Sequence, residues 1–387
     1  MFTLIENGEV HAPEALGTCS VLLAGNRIAR IGEVDRRALD RLGVECEVID
    51  AGGCLVVPGL IDPHEHLLGG SGESGFSTQT PEINLHEIAS GGITTVVGCL
   101  GVDSTTKTMA GLLARAKALG EEGITALVWT GGYDVPPTTL VGSVRADILM
   151  VAEIIGAGEI AIADDRSTEP QLPELARLVK DAHAGGMLAR KAGVTHFHVG
   201  PKKERLASLR ALIDDHGVPP EWLYPTHLGR DEELLAEGAD LSRRGCFVDI
   251  DTTDRELAKW LGLYLAGGGE PSRLTVSSDA SVTSPLNLPR QLRDCAGRGF
   301  PLELVLALAT SNTARALRLE GKGRLAEGKD ADVAVLERGT LEPREVIAGG
   351  RRLVRDGRMA VRERFLENSD REIRLDGGKK DGRVLGA

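Results

Sequence analysis

The chain has 387 residues, 42% of them hydrophobic, which is enough to bury one large core with a smaller one beside it. Its net charge of -12, with no Lys/Arg cluster to offset it, excludes a nucleic-acid partner, because phosphate binding needs a basic face. No apolar run approaches the roughly 20 residues that cross a bilayer, and Met1 to Gly8 lack a basic leader and an apolar h-region, so no membrane partner and a cytoplasmic location are expected. The six cysteines are scattered without a CxxC pair and read as reduced, mostly buried thiols.

Residues 1–57 read as short strands separated by turns at Asn7-Gly8 and Gly25-Asn26, with apolar and polar residues alternating. Residues 323–387 have the same texture at 332–336, 345–347 and 352–354, followed by a charged tail from about 367 that is expected to fray. Two strand-rich ends around one long middle predict a single small β domain closed by both termini. In the middle, 58–322, β-rich apolar runs alternate with helix-length amphipathic segments. Strands are predicted at 55–61, 93–97, 124–129, 159–163, 194–198, 222–227, 246–250 and 274–278, with helices over 107–120, 144–156, 171–184, 202–215 and 231–243. Eight strands with helical connections are the number that closes a parallel (β/α)8 TIM-type barrel, an α/β fold. An open doubly wound sheet is the alternative, but no GxGxxG or GxxxxGK[ST] follows any strand.

Chemistry in such a barrel sits where strands end. Strand one ends in His64 and His66, which share a face of an extended chain and can reach one metal ion together. Taken alone, the pair reads more safely as two surface histidines flanking a glutamate in a turn; the rest of the chain changes the balance. Strand five ends in His198, strand six in His227 and strand eight in Asp279, so four of the nine histidines fall at strand ends. His196 shares a strand face with His198 and is either a supporting group or lies below the site. His11, His86, His183 and His216 read as surface or satisfied histidines. Four imidazoles and a carboxylate exceed what one tetrahedral zinc needs, which favours two ions sharing a bridging carboxylate and a hydroxide. Glu159, predicted at the start of strand four, is the candidate bridge; the alternative is a surface glutamate that begins a strand.

These residues carry a resemblance. Pro58-Gly-Leu-Ile-Asp-Pro-His-Glu-His66, the lone histidines of strands five and six, Ser277-Ser-Asp279 and Gly323 to Asp332 resemble the amidohydrolase superfamily. More narrowly, Gly69 to Gly75, Gly131-Gly-Tyr133, Ala163-Asp-Asp-Arg-Ser167, Phe197 to Gly200 and Pro225 to Arg230 resemble the isoaspartyl (β-aspartyl) dipeptidase family, over nearly the whole chain. The resemblance implies a barrel with a terminal β-sandwich, a homo-oligomer up to an octamer, and two Zn2+ ions that hydrolyse the isopeptide bond of a small dipeptide through a bridging hydroxide. It implies that His64, His66 and Asp279 hold the more buried ion and His198 and His227 the outer one. Asp279 would act as general acid and base, and Tyr133 would hydrogen-bond the carbonyl oxygen as charge develops. Arg166 and Arg230 would grip substrate carboxylates, Glu73 the α-ammonium group, and Thr283, in preference to Ser281 or Ser284, would supply a hydroxyl.

Three positions depart from the family pattern. Glu159 stands where a carboxylated lysine is common, Val102 where a threonine is usual, and Ala280 to Ser284 replace a glycine-containing turn. These departures leave open another amidohydrolase that acts on a different N-acyl amino acid or a cyclic amide, and a non-enzymatic relative that keeps only the scaffold.

Overall fold

Continuous apolar strands that alternate with amphipathic helices bury both faces of a sheet only when the helices cover its outside. The middle of the chain does this. The computed structural model describes residues 2–41, 43–367 and 369, so the predicted tail lies almost wholly outside the described residues. Eight strands follow one another: Leu60–Glu65, Ile93–Gly98, Thr125–Thr130, Ile154–Ile162, Thr195–Val199, Leu223–Thr226, Val248–Asp251 and Leu274–Ser277, here strands one to eight. Strands one to six pair in sequence order, all parallel, and strands seven and eight form a second parallel pair.

Two joints close the ring. Just beyond strand eight, Asp279 N–H donates to His64 O at 3.1 Å, and His66 N–H donates to Ala280 O at 2.9 Å. Between strands six and seven the joint is made by side chains. Asp249 on strand seven accepts from Thr226 Oγ1 at 2.7 Å and, from strand eight, from Thr275 Oγ1 and Ser277 Oγ, both at 2.6 Å. Asp249 is fully buried, and burial raises its pKa against the pull of these hydroxyls.

The outer helices follow their sequence signals. In Met109–Glu122, Thr108 caps the first turn by accepting from Gly111 N–H, and Met109, Leu112, Ala116 and Leu119 form the buried stripe. Asp231 caps Glu232–Arg243 in the same way, accepting from Leu234 N–H at 2.8 Å. Among the described residues no helix is long and apolar enough to cross a membrane.

The terminal segments form a four-stranded and a seven-stranded sheet. In the second, Val333–Glu337 near the end of the chain pairs antiparallel with Cys54–Pro58. Ile5, Val21, Leu23 and Ile49 of one sheet pack with Val10, Val56, Val333 and Ile347 of the other.

Two sequence expectations are corrected. The predicted strand 55–61 is two strands, because the chain passes from one sheet to the other at Gly59. A Cβ there would lie 2.3 Å from Thr94 Oγ1, so only glycine allows that crossing. The helix predicted over 144–156 ends at Met150, and strand four begins at Ile154, where the β-branched pair Ile154 and Ile155 favours extended chain. Glu159 therefore lies past the middle of strand four instead of at its start.

Replacing Asp249 with Ala should leave the buried hydroxyls of Thr226 and Ser277 without their acceptor, reduce Thr275 to its weaker bond with Val248 O, and loosen the joint between strands six and seven. A loss of stability on the order of 3 kcal/mol is expected, read as a lower urea midpoint. An unchanged midpoint would mean that backbone packing alone holds the joint.

Candidate active site

The strand ends gather the buried His64, His66, Glu159, His198 and His227 and the half-buried Asp279 into one cluster at the mouth of the barrel. Their local backbone explains how. Strand four carries an extra residue between Ala157 and Ile160, which oppose Thr195 and Phe197 on strand five. Such a bulge re-aims a side chain, and here Glu159 lies among the histidines. A Cβ at the neighbouring Gly158 would meet His196 Cβ at 2.7 Å, so the bulge also depends on glycine. His227 and Asp279 adopt left-handed backbone, with φ of 67° and 47°, a conformation uncommon among non-glycine residues.

Each imidazole is oriented by a partner behind it. His196 Nδ1 lies 2.9 Å from Tyr224 O, which can only accept, so this nitrogen donates and His196 Nε2 is left as an acceptor. His64 Nδ1, 3.0 Å away, then donates to it, and His64 Nε2 faces the pocket. Burial first, and the charge of His64 second, hold the pKa of His196 well below the usual value, so it stays neutral beneath the site. His227 Nδ1 pairs with Asp251 Oδ2 at 2.8 Å, turning Nε2 inward, and His198 Nε2 pairs with Asp164 Oδ2 at 2.9 Å, turning Nδ1 inward. A carboxylate or carbonyl behind the ring is how metal-binding histidines are held.

Glu159 stands between the two sets. Its Oε1 lies 2.7 Å from His198 Nδ1 and 3.2 Å from His227 Nε2, and its Oε2 lies 3.4 Å from His64 Nε2 and 3.9 Å from His66 Nε2. Asp279 Oδ1 is 3.4 Å from His64 Nε2 and 3.2 Å from His66 Nε2. His64 Nε2 and Glu159 Oε2 are both buried with no hydrogen-bond partner, a costly state for facing polar atoms unless a cation lies between them. Burial opposes ionisation of Glu159, yet His64, His198 and His227 hold its carboxyl well below the usual range. The donor atoms of His64, His66, Cys99 and Glu159, those of Glu159, His198 and His227, and those of His227, Asp251 and Asp279 form three groups, each within 4.8 Å. The residues present therefore fit divalent ions.

The remaining candidates line the mouth. Tyr133 is buried, and its OH lies 2.8 Å from His198 Nδ1. Burial and the charge of Glu159 raise its pKa well above the usual value, so the hydroxyl keeps its proton. Arg166 donates from Nε and Nη2 to the two oxygens of Asp164, at 2.9 and 2.8 Å, and from Nη1 to Glu73 Oε1 at 2.8 Å. Arg230 is exposed and donates to Val199 O at 2.8 Å, with Nη1 3.4 Å from His198 Nε2. Thr283 Oγ1 and Ser281 Oγ both lie near Asp279 O, at 3.5 and 3.4 Å, whereas Ser284 Oγ accepts from Leu286 N–H.

Sequence reasoning missed Asp164, Asp251 and Cys99. Asp251 carried a usable signal: strand seven was predicted to end at Ile250, one residue before the carboxylate that ends it. Asp164 lay inside a quoted segment without a role. The bland readings of His11 and His183 agree with the structure, where one pairs with Glu9 and the other stacks on Trp222.

Residues 55–355 match the Amidohydrolase family. A beta-aspartyl dipeptidase from the thermophilic, keratin-degrading Fervidobacterium islandicum AW-1 superposes with a TM-score of 0.88 at 37% identity, covering 93% of this chain and 99% of that one. The same protein in complex with a beta-Asp-Leu dipeptide gives 0.87 and 36% over the same shares of the two chains. Adenine deaminase 2 of Agrobacterium fabrum is 29% identical over 335 residues, 81% of this chain but 51% of the deaminase, so the chain spans about half the length of that relative. An imidazolonepropionase of a Ruegeria species is 26% identical over 355 residues, 82% of this chain and 86% of its own. With its barrel, its strand-end histidines and this match across most of its length, the chain belongs to the amidohydrolase family.

Proposed function

We propose that this protein is a zinc-dependent dipeptidase that hydrolyses the isopeptide bond of β-aspartyl dipeptides. The observation that carries the reading is the pairing of two donor sets around Glu159 with fixed charges of both signs at the mouth, Arg166, Arg230 and Glu73. A β-aspartyl dipeptide carries two carboxylates and one ammonium group, the complement of that set. The solved neighbour with beta-Asp-Leu bound supports the same substrate class.

In this reading His64, His66, Glu159 and Asp279 hold one ion, and Glu159, His198 and His227 hold the other. When bound, such ions polarise the scissile carbonyl and lower the pKa of water, so no nucleophilic side chain is needed. Asp279 takes the proton of the attacking water on Oδ2, the oxygen turned away from His64 and His66, and passes it to the leaving amine. Tyr133 donates its retained proton as a hydrogen bond to the carbonyl oxygen as charge develops. Arg166 and Arg230 hold the carboxylates, Thr283 adds a hydroxyl, and Glu73 takes the α-ammonium group. Without substrate, Glu73 and Arg166 satisfy one another, and the dipeptide separates them by offering each the opposite charge.

A second reading, another amidohydrolase acting on a different N-acyl amino acid or a cyclic amide, draws on the deaminase and imidazolonepropionase similarities and on Val102. An N-acyl amino acid offers one carboxylate and no ammonium group, so this reading leaves one arginine and Glu73 without a task. A cytoplasmic homo-oligomer belongs to the dipeptidase reading as well.

Purified protein should cleave β-aspartyl dipeptides and leave their α-linked isomers intact. Arg230→Met should lower kcat/KM about a hundred-fold through loss of a charged hydrogen-bond pair, with no change in urea midpoint. Equal turnover by this variant would favour the second reading. Asp279→Asn should lower kcat by about a thousand-fold, within the range for a lost proton carrier, and unchanged kcat would remove Asp279 from proton transfer. Dialysis against a chelator should abolish turnover and lower Tm, and added zinc should restore both; activity that survives removal of all divalent ions would end the reading.

A further inference from the structure

Asp164 stands just past the end of strand four and is 3% exposed. Its Oδ1 accepts from the backbone N–H of Arg166 at 2.8 Å and from Arg166 Nε at 2.9 Å. Its Oδ2 accepts from Arg166 Nη2 at 2.8 Å and lies 2.9 Å from His198 Nε2. A carboxylate offers about four lone-pair sites, so these contacts occupy it fully and divide it between two residues. The turn that carries Asp164 is seated against the end of strand five, just beyond His198. A Cβ at Gly200 would lie 2.5 Å from Asp164 Cβ and 2.3 Å from Ala163 O, so only glycine there allows the approach.

A plain alternative is a local ion pair between Asp164 and its near neighbour Arg166, which at a surface would be worth little. Such a pair needs neither the imidazole nor the glycine. Here the carboxylate is buried and one oxygen serves both partners, so the ring and the guanidinium take their positions from the same atom. Arg166 Nη1, the nitrogen that Asp164 leaves free, is the one that meets Glu73.

We infer that Asp164 is a positioning residue with two tasks, setting His198 with Nδ1 toward the outer ion and setting Arg166 with Nη1 toward the substrate carboxylate. This rests on the dipeptidase reading above. The two tasks cannot be separated by an amide of the same shape. In Asp164→Asn the amide oxygen is best placed toward Arg166 N–H and Nε, the two donors that Oδ1 serves now. The amide nitrogen then stands in the place of Oδ2, facing a guanidinium that cannot accept and requiring His198 Nε2 to accept. The proton of His198 moves to Nδ1, the nitrogen that an ion would need, and Arg166 loses one of its charged hydrogen bonds.

Zinc affinity by equilibrium dialysis and KM at saturating zinc, both on the full chain, test the two tasks together. Asp164→Asn should weaken the outer ion about 10- to 100-fold and raise KM on the order of ten-fold. Arg166→Met should raise KM and leave zinc affinity unweakened. Adding Asp164→Asn to Arg166→Met should raise KM no further, because Asp164 reaches the substrate only through Arg166. Unchanged zinc affinity in Asp164→Asn would make Asp164 an anchor for Arg166 alone, and unchanged KM would make it a support for His198 alone. Either result overturns the inference, as would KM effects that add in the double variant. Unaltered protein that binds zinc but cleaves no β-aspartyl dipeptide would instead overturn the reading beneath it, which separates the two failures.

Discussion

A buried carboxylate shared between two pairs of imidazoles is the constraint on which the rest of this structure depends. Glu159 can occupy that place only because strand four carries an extra residue and because Gly158 lets His196 approach. Behind the site, Tyr224 O, Asp251 and Asp164 fix the rings so that their free nitrogens converge. The pocket's appetite for positive charge is visible at His64. Burial disfavours a proton there, yet the charges of Cys99, Glu159 and Asp279 outweigh burial and raise its pKa well above the usual value. A divalent cation answers the same demand more completely than a proton does, since it can take electron pairs from several donors at once.

The charged mouth of the site is coupled to this buried end through one side chain. Asp164 accepts from His198 on one side and from the guanidinium of Arg166 on the other, and although burial opposes its ionisation, these partners hold its carboxyl far below the usual range. A group that positions an imidazole of the buried cluster therefore also fixes the direction of a cation at the mouth. Arg230 has no such carboxylate anchor among the described residues; it donates to Val199 O, with Nη1 3.4 Å from His198 Nε2. The mouth thus combines one rigid and one adaptable cation.

Much of this could be read in the sequence. The barrel was legible because buried strands and amphipathic helices alternate with the periods each requires, and His64, His66, His198, His227 and Asp279 stood out as strand-end residues. What could not be read were features that arise from contacts between distant strands. The bulge that turns Glu159 inward is set by register against strand five, which no local pattern encodes. Asp251 was lost to an error of one residue in a strand boundary, and the division of 55–61 at Gly59 is decided by Thr94, far along the chain. Asp249, which joins strands six, seven and eight, looked like any polar residue inside an apolar run.

The central claim is that one carboxylate serves two ions, and the stoichiometry of divalent metal in Glu159→Ala against the unaltered chain tests it most directly. Two zinc ions per chain are predicted for the unaltered protein, and the single substitution should weaken both, leaving less than one tightly held ion. A variant that keeps both ions, or an unaltered chain that binds none, would contradict the account.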